Sequence, residues 1–401
     1  MFQGMGKDTD VMNRDFGFEP TEINYLILSH AHIDHCGLIP KLVKDGYNGK
    51  IFSTPATKDL AALLMEDSAG IQEHELKYIN KSRAAEGLPY FEPLYSTEDA
   101  QRAVELFEVV EYNQWHTIDE SVSFIYKDAG HIIGSATVHL KINENGKETH
   151  LSFSGDVGRY RDEILRSPDV FPQADYILLE STYGNSLHEE ITGTGDLLLQ
   201  WITKTCIEKK GKLILPAFSV GRTQEILFDL NQLQFENRLP QVPYYVDSPL
   251  SMEATQVIKS YPQYFNSRIQ EILKSDQDPF DFPGLKFIRS VEESKSLNEV
   301  VITSEREDQN IKSMEMSSVK MDIKQISKIP ALLGEVDIIR AIQLLPGVTT
   351  MGEGATGFNV RGGNIDQNLI LLDVILTFLQ ENGVRSTRLR QCYFGCSQYY
   401  C

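Results

Sequence analysis

Short apolar runs alternate with amphipathic stretches near the start of the chain, and this alternation predicts a layered α/β fold. The run at 25–29 is too short and too rich in aliphatic residues for a surface helix, so we interpret it as a buried strand. A short helix closed by glycine is predicted at 41–46, followed by a strand at 49–54 and a helix that begins with Pro55. Strand and helix in alternation are typical of α/β proteins.

Other stretches complete this coarse picture. Residues 1–15 show little periodicity and are predicted to form a loop. Alternating patterns predict strands at 137–140 and 150–153. His74 and His116 stand in polar surroundings and are predicted to lie on the surface.

Composition and charge narrow the class of protein. The 401 residues are 41% apolar and 24% charged, as in an ordinary globular protein with room for two or three domains. A net charge of −19 opposes broad electrostatic binding to nucleic acid or an anionic membrane. Five cysteines form no disulfide framework, and neither a signal peptide nor a membrane-spanning apolar run is evident. We therefore expect a reducing, cytoplasmic location.

Three histidines and one aspartate follow the first predicted strand: His30, His32, Asp34 and His35. Imidazole nitrogen and carboxylate oxygen are the ligands that zinc prefers outside thiolate sites. His30 and His32 are two positions apart, so both side chains point to the same side of an extended chain. A turn at Asp34 and His35 can direct both toward a second ion. We interpret the cluster as a metal site and not as a set of surface histidines.

Two later stretches add candidate ligands. His131 stands beside a glycine ahead of strand 137–140, and Asp156 is flanked by glycines at the end of strand 150–153. Glycine lets the backbone approach a ligand closely, and binding sites of α/β sheets gather at strand ends. His139 lies inside its strand and is predicted to be packed or solvent-facing, not a ligand. Together with the cluster, these residues make six candidate ligands.

The motif His-x-His-x-Asp-His, a later Gly-His and a later Gly-Asp resemble the metallo-β-lactamase fold of binuclear hydrolases. Three further stretches, at 177–184, 215–225 and 245–250, resemble the β-CASP branch of that fold. This branch contains nucleases, among them RNA 3′-end-processing and bacterial RNA-degrading enzymes. The resemblance covers about residues 1–298.

The resemblance implies a fold and a reaction. It implies a metallo-β-lactamase αββα sandwich over residues 1–200, truncated at its N-terminus, and an incomplete β-CASP α/β cassette over 201–298. The implied activity is zinc-dependent hydrolysis of RNA phosphodiesters, as an endonuclease, a 5′-exonuclease or both. DNA is a less expected substrate, and no membrane partner is expected for residues 1–298.

The resemblance also implies a role for each site residue. The ligands divide between two zinc ions, with His30, His32 and His131 at the first, Asp34 and His35 at the second, and Asp156 bridging both. Catalytic roles fall to three carboxylates: Asp34, Asp156 and Glu180. In the family, Glu180 supports a histidine of the cassette, so we expect it beside the pocket but not in contact with a metal.

The two ends of the chain depart from the family pattern. Residues 1–4 look like the tail of a family motif, so the preceding hairpin is expected to be missing. No histidine follows His188, so the family's general-acid histidine and its last zinc-binding histidine are not supplied by this sequence. We therefore expect impaired activity.

Residues 299–373 instead resemble the plug domain of TonB-dependent outer-membrane receptors. The supporting stretches lie at 329–337, 344–348 and 357–363. The resemblance implies a small, separately packed α+β segment with a helix at 336–344 and a strand at 358–361, joined to the nuclease part as a fusion. Residues 374–401 fit neither family and stay unassigned.

Two other functions remain open at this point. One is a small-molecule metallo-hydrolase on the same fold, which the acidic charge favours. The stretches at 177–184, 215–225 and 245–250 argue against it, because they resemble the nuclease branch. The other is a binding module whose functional part is the receptor plug.

Overall fold

The computed structural model describes residues 1–2, 9–185, 193–274, 278–290 and 293–294, and beyond them the backbone of five strands between 319 and 396. Backbone contacts divide the chain into two compact units, Met1–Leu297 and Asn298–Cys401. Within the first unit we call residues 9–185 the first lobe and residues 193–290 the second lobe.

The first lobe contains two β-sheets. Three parallel strands form one sheet in the order β1-β2-β3, with β1 at Tyr25–Ile27, β2 at Lys50–Ser53 and β3 at Phe107–Val109. Five strands form the other in chain order, with β4 at Trp115–Thr117, β5 at Val122–Asp128, β6 at Ala136–Glu144, β7 at Lys147–Phe153 and β8 at Tyr176–Leu178. Pairing in this sheet is antiparallel except between β7 and β8, which run parallel.

A small apolar core lies between the two sheets. Phe52 of the parallel sheet packs there with Phe124, Tyr126 and Val138 of the other sheet. The buried hydroxyl of Tyr126 donates to the carbonyl oxygens of Leu28 at 3.1 Å and Phe52 at 2.8 Å. A buried hydroxyl needs a hydrogen-bond partner, and these two bonds also join one sheet to the other.

The first lobe also contains five α-helices. They are α1 at Thr9–Arg14, α2 at Ile33–Cys36, α3 at Ile39–Lys44, α4 at Pro55–Ala85 and α5 at Thr97–Glu105, with a short 3₁₀ helix at Pro20–Glu22. Helix α4 begins where predicted, because Thr54 accepts the N–H of Thr57 and proline occupies the first turn. Ser96 and Asp99 form a capping box at the start of α5.

The second lobe is also α/β. Its helices are α6 at Thr194–Ile202, α7 at Arg222–Phe235, α8 at Pro249–Lys259 and α9 at Ser267–Lys274, with a π-helical turn at Thr203–Glu208 and a 3₁₀ helix at Pro262–Tyr264. Strands β9 at Tyr244–Val246 and β10 at Leu285–Phe287 pair in parallel. Buried side chains from both lobes form one continuous apolar core, in which Leu60 of α4 and Ala254 of α8 are fully buried. Helix α4 packs against α8.

The second unit is described only through its strands. These are β11 at Val319–Asp322, β12 at Val348–Thr350, β13 at Phe358–Val360, β14 at Asn368–Leu372 and β15 at Gln391–Cys396. Strands β11, β15 and β14 form an antiparallel sheet in that order, and β12 pairs antiparallel with β13. Strand β13 coincides with the strand predicted at 358–361, whereas the helix predicted at 336–344 lies outside the described residues.

One local prediction is wrong, and a second holds only in part. The sequence predicts a loop over residues 1–15, but residues 9–14 form α1. Its Asn13 is buried and pairs with the backbone of Phe2, donating to the oxygen and accepting from the nitrogen at 2.8 Å each. The His116 side chain stays 28% exposed at the surface, but its ring also packs on Phe52 and Phe124. Tertiary contacts that no local pattern records decide both cases.

Candidate metal centre

His30 and His32 lie where strand β1 runs out. Pairing with β2 continues through the Leu28 N–H, which donates to the Phe52 oxygen at 2.9 Å and keeps the chain extended toward His30. His30 is 1% exposed. Its Nδ1 lies 3.1 Å from the hydroxyl of Ser29, which leaves Nε2 directed at the neighbouring candidate ligands. His32 is the residue before α2, so the chain turns immediately after it.

His131 lies in the tight loop between β5 and β6. The hydroxyl of Ser135 accepts the N–H groups of His131 at 3.1 Å and Ile132 at 3.2 Å. On the far side of the loop, Thr54 and Thr57 at the start of α4 donate their hydroxyls to the Gly134 oxygen at 2.7 and 2.8 Å. The loop is therefore fixed from both sides before any ligand binds.

Asp156 follows β7 and occupies the middle of the cluster. One carboxylate oxygen, Oδ2, lies 3.6 Å from His30 Nε2 and 3.5 Å from His131 Nε2. The other, Oδ1, lies 3.4 Å from His35 Nε2. The two oxygens of Asp156 therefore face different histidines of the cluster.

Four residues form a compact group: His30, His32, His131 and Asp156. Their candidate ligand atoms all lie within 4.8 Å of one another. His131 Nε2 lies 3.0 Å from His32 Nδ1. The buried Nε2 of His30 has no hydrogen-bond partner among the described residues. A buried polar atom without a partner costs free energy, so this orphaned nitrogen fits a bound cation.

Asp34 and His35 lie beside this group on the first turn of α2. His35 Nε2 lies 3.4 Å from Asp34 Oδ2 and 3.4 Å from Asp156 Oδ1. The rings of His30 and His35 are 4.0 Å apart between centroids. The structure thus brings all six sequence-predicted ligands into one pocket, with Asp34 the most exposed of them.

The pKa values of the four histidines in the pocket fall into two groups, because three are lowered and one is raised. Burial, with neighbouring histidines, lowers the pKa of His30 well below its usual value, and burial lowers that of His32 to about 4. Burial also lowers the pKa of His131. Burial opposes a charge on His35 as well, but its hydrogen bonds to Asp156 and Asp34 raise its pKa to about 9. Three imidazoles are therefore neutral at pH 7, as metal ligands must be, while His35 carries a proton between two carboxylates.

Glu180 follows β8 and holds the backbone beside Asp156. Its carboxylate accepts the N–H of Val157 at 3.1 Å and that of Thr182 at 3.3 Å. Its own N–H donates to the Ser154 hydroxyl at 2.9 Å. Glu180 thus faces neighbouring amides and lies close enough to oppose the lowering of the His131 pKa.

Several residues that shape the pocket escape sequence reasoning. Ser29, Ser135 and Ser154 are buried and orient site residues through the bonds given above. Their signal is weak, because a serine at a strand end has many ordinary uses; only their adjacency to His30, His131 and Asp156 marks them. His139, in contrast, is buried and bonds to Thr137 and Ser152 away from the six candidate ligands, so it is packed as predicted.

The donor set fits zinc. Zinc in proteins is bound by imidazole nitrogens and carboxylate oxygens, and this group supplies both. The buried His30 Nε2, which has no hydrogen-bond partner among the described residues, is available to bind such an ion.

None of the helices in the described part of the chain is long and apolar enough to cross a bilayer.

Two family models match the chain. Residues 4–186 match the metallo-β-lactamase superfamily, and residues 223–329 match the β-CASP domain. The second match runs past position 298, where the sequence patterns place the end of the cassette. These matches give no support to a receptor plug at 299–373, and that resemblance stays a prediction.

Curated relatives match the same region. Ribonuclease TTHA0252 of Thermus thermophilus is 34% identical over 301 residues, which are 74% of this chain and 63% of that protein. Transcription termination factor FttA of Methanosarcina mazei is 32% identical over 269 residues, 66% of this chain and 39% of that protein. An RNase J-like protein of Methanocaldococcus jannaschii is 32% identical over 280 residues, 69% of this chain and 59% of that protein.

The chain therefore spans less than two thirds of the length of each of these relatives. Along this chain a metallo-β-lactamase domain is followed by a β-CASP domain. The chain has the α/β metallo-β-lactamase fold with a β-CASP domain, and its relatives support the β-CASP branch of that superfamily.

Proposed function

We propose that this chain is the catalytic part of a cytoplasmic, zinc-dependent phosphodiesterase that hydrolyses RNA. The observation that carries the proposal is the His30 Nε2 atom, buried without a described partner and aimed at the group formed with His32, His131 and Asp156. The printed names of two relatives, a ribonuclease and an RNase J-like protein, support RNA as the substrate class. Endonuclease and 5′-exonuclease action are both compatible with these names.

Two zinc ions are proposed for the pocket. His30, His32 and His131 would hold the first, Asp34 and His35 the second, and Asp156 would lie between them. The separate distances from Asp156 Oδ2 to His30 and from Oδ1 to His35 support this division. Bound zinc would lower the pKa of a water molecule to about 7 and stabilise negative charge on phosphoryl oxygens.

The residues of the chain prepare this chemistry in three ways. Burial keeps His30 and His32 neutral, so their nitrogens are available at neutral pH. Ser29 fixes the ring of His30, and Glu180 fixes the backbone of Val157 next to Asp156. The proton on His35 stabilises the pair of carboxylates until a cation replaces it.

The anionic substrate would meet an acidic protein. The net charge of −19 opposes general nucleic-acid binding, so attraction must come from the metal pocket itself. The 401 residues contain no histidine after His188 to act as the general acid that the family resemblance implies. General acid catalysis contributes about 10²- to 10⁴-fold. We therefore expect slow turnover from this chain.

The test is hydrolysis by the purified 401-residue protein loaded with zinc. An activated phosphodiester and a labelled RNA should both be cleaved slowly, and His32→Ala should abolish cleavage of both. The matched control is His150→Ala, which removes a histidine bonded to Glu148 on the surface and should leave the rate unchanged. Activity on a thioester or a lactam without cleavage of either phosphodiester would contradict the proposal and favour the small-molecule hydrolase.

A further inference from the structure

Arg166 lies at the junction of the two lobes and is not one of the six candidate ligands. Its Nη2 is 2.6 Å from Asp128 Oδ2, as an ion pair without the alignment of a hydrogen bond. Its guanidinium carbon lies 5.5 Å from the ring centroid of Tyr112 and 5.6 Å from that of Tyr264. Tyr112 and Asp128 belong to the first lobe and Tyr264 to the second, so one side chain contacts both lobes.

Asp128 controls one end of the loop that carries His131. Its Oδ1 accepts the Gly130 N–H at 2.9 Å, while its own N–H and oxygen pair with Asp169 at 3.1 and 2.8 Å. Gly130 has φ +61°, and a Cβ there would lie 2.7 Å from the Arg166 oxygen. The loop and the backbone of Arg166 are therefore in direct contact.

Tyr112 controls the other end of the same loop. Its hydroxyl donates to the Ser135 oxygen at 2.7 Å. The hydroxyl of Ser135 in turn accepts the His131 N–H at 3.1 Å. The two first-lobe partners of Arg166 thus hold the two ends of the segment 128–135, with His131 between them.

Tyr264 of the second lobe contacts two first-lobe residues, Glu111 and Tyr112. Its hydroxyl donates to Glu111 Oε2 at 3.0 Å, and its ring meets that of Tyr112 edge-on at 5.1 Å. Just beyond it, the Asn266 N–H donates to the Ile164 oxygen at 3.0 Å. The second lobe therefore also holds the backbone two residues before Arg166.

We infer that Arg166 is a positioning residue that sets the place of His131 in the metal centre through Asp128 and Tyr112, and that the Tyr264 ring of the second lobe sets the place of Arg166. The second lobe thereby affects metal binding although none of the six candidate ligands lies in it. The inference rests on the proposed metal centre but not on RNA as the substrate.

The physical basis is the shape and charge of the guanidinium. A planar guanidinium can pair with a carboxylate at one edge while its flat face stacks on aromatic rings, whereas an ammonium has no flat face to stack. Removing one member of a partly buried ion pair leaves the other charge without compensation. Asp128 would then shift, and the Gly130 N–H that it holds would shift with it.

The test measures the affinity of the full chain for zinc ion alone, by competition with a chromophoric chelator. Loss of a residue that orients a metal ligand typically weakens metal binding by about 10- to 100-fold. Arg166→Gln and Tyr264→Leu should each weaken zinc binding within this range. Tyr264→Phe keeps the ring over Arg166 and should bind zinc as the unaltered protein does.

Two matched controls separate positioning from general destabilisation. Lys259→Gln removes a cation from a partly buried pair with Asp278 in the second lobe. Tyr244→Leu removes a second-lobe tyrosine whose ring packs on Phe282. Both should lower the metal-free melting temperature without changing the zinc affinity.

Cobalt(II) in place of zinc supplies a spectroscopic readout. A displaced His131 changes the ligand set, so the visible absorption band of the cobalt-loaded Tyr264→Leu protein should shift or weaken, while that of Tyr264→Phe should not. If Arg166→Gln does not fold, Arg166→Lys replaces it, because it keeps the charge opposite Asp128 but loses the planar face.

Each outcome decides the question. Unchanged zinc affinity in Tyr264→Leu and in the Arg166 variant, with the unaltered protein binding zinc, would overturn the inference alone. Equal weakening in Lys259→Gln and Tyr244→Leu would also overturn it, because the effect would then be general. Failure of the unaltered protein to bind zinc would overturn the proposed metal centre and this inference with it.

Discussion

Burial separates the histidines of the pocket by a simple rule. A histidine that is surrounded by other histidines and shielded from water loses its proton, as His30 does, and one placed between two carboxylates keeps it, as His35 does. The six ligand types and their spacing can be read from the sequence, but this division cannot. It depends on Asp156, which is 121 positions away from His35 and meets it only in the fold.

Ser29 offers a test of how His30 is oriented. Ser29→Ala removes the hydroxyl that lies 3.1 Å from His30 Nδ1, so the ring loses its fixed orientation. Zinc affinity should fall by about 10- to 100-fold, as chelator competition would measure. The matched control is Ser152→Ala, which removes a buried serine 2.7 Å from Nδ1 of His139, outside the pocket. Equal zinc affinity in both variants would contradict the role given to Ser29.

Asp229 offers a test of the second lobe's electrostatics. Burial, reinforced by Glu163, raises its pKa from 3.8 to about 6. Because the folded state binds this proton more tightly than the unfolded chain, the stabilising contribution is complete below pH 4 and is lost as pH rises through about 6.

Asp229→Asn should therefore flatten the pH dependence of the melting temperature between pH 4 and 6 and raise that temperature at pH 7. Thermal unfolding of the metal-free protein, followed by circular dichroism across this range, measures both effects. Asp281→Asn on the exposed surface is the control and should leave the profile unchanged. A profile of the same slope in the Asp229 variant would refute the assignment.

At the scale of elements, strand ends place the site. Asp156 follows β7, Glu180 follows β8, and the loop of His131 follows β5, so three strands that run in the same direction within one sheet deliver residues to one edge. Alternation predicts β7 and its neighbour β6 from the sequence, within a few residues at their ends, but no pattern predicts β5 or β8. Helix α1 escapes prediction because its order depends on Asn13 reaching the backbone of Phe2, a contact without local signature.

The loop of His131 also provides a test of backbone constraint. Gly134 has φ +81°, and a Cβ there would lie 2.7 Å from the Thr57 nitrogen. Gly134→Ala combines an unfavourable backbone conformation with a clash against backbone, so we expect it to destabilise by more than the ~1–3 kcal/mol typical of strain alone.

The control for Gly134 is Gly146, which has φ +79° and open space at its Cβ position. Gly146→Ala isolates the backbone term, and the difference between the two variants in urea unfolding measures the clash. A smaller loss of stability in Gly134→Ala than in Gly146→Ala would show that the loop relaxes away from α4.

At the scale of the whole molecule, motif spacing predicts the fold and its domains but not the contacts between the two lobes. The metallo-β-lactamase fold and the β-CASP domain predicted from motifs are confirmed by the family matches. The contact of Arg166 with Tyr112, Asp128 and Tyr264 could not be predicted, because it joins segments of both lobes that share no motif. The fusion near 298 and the identity of residues 299–373 stay predictions.

The central claim is that six residues of the first lobe hold two zinc ions, and anomalous diffraction at the zinc edge from crystals of the zinc-loaded protein tests it most directly. We predict two anomalous peaks with Asp156 between them, one about 2.0–2.2 Å from nitrogens of His30, His32 and His131. The second peak should lie at the same distance from Asp34 and His35. A pocket without anomalous density, or zinc bound elsewhere while His131 and Asp156 stand apart, would contradict the account.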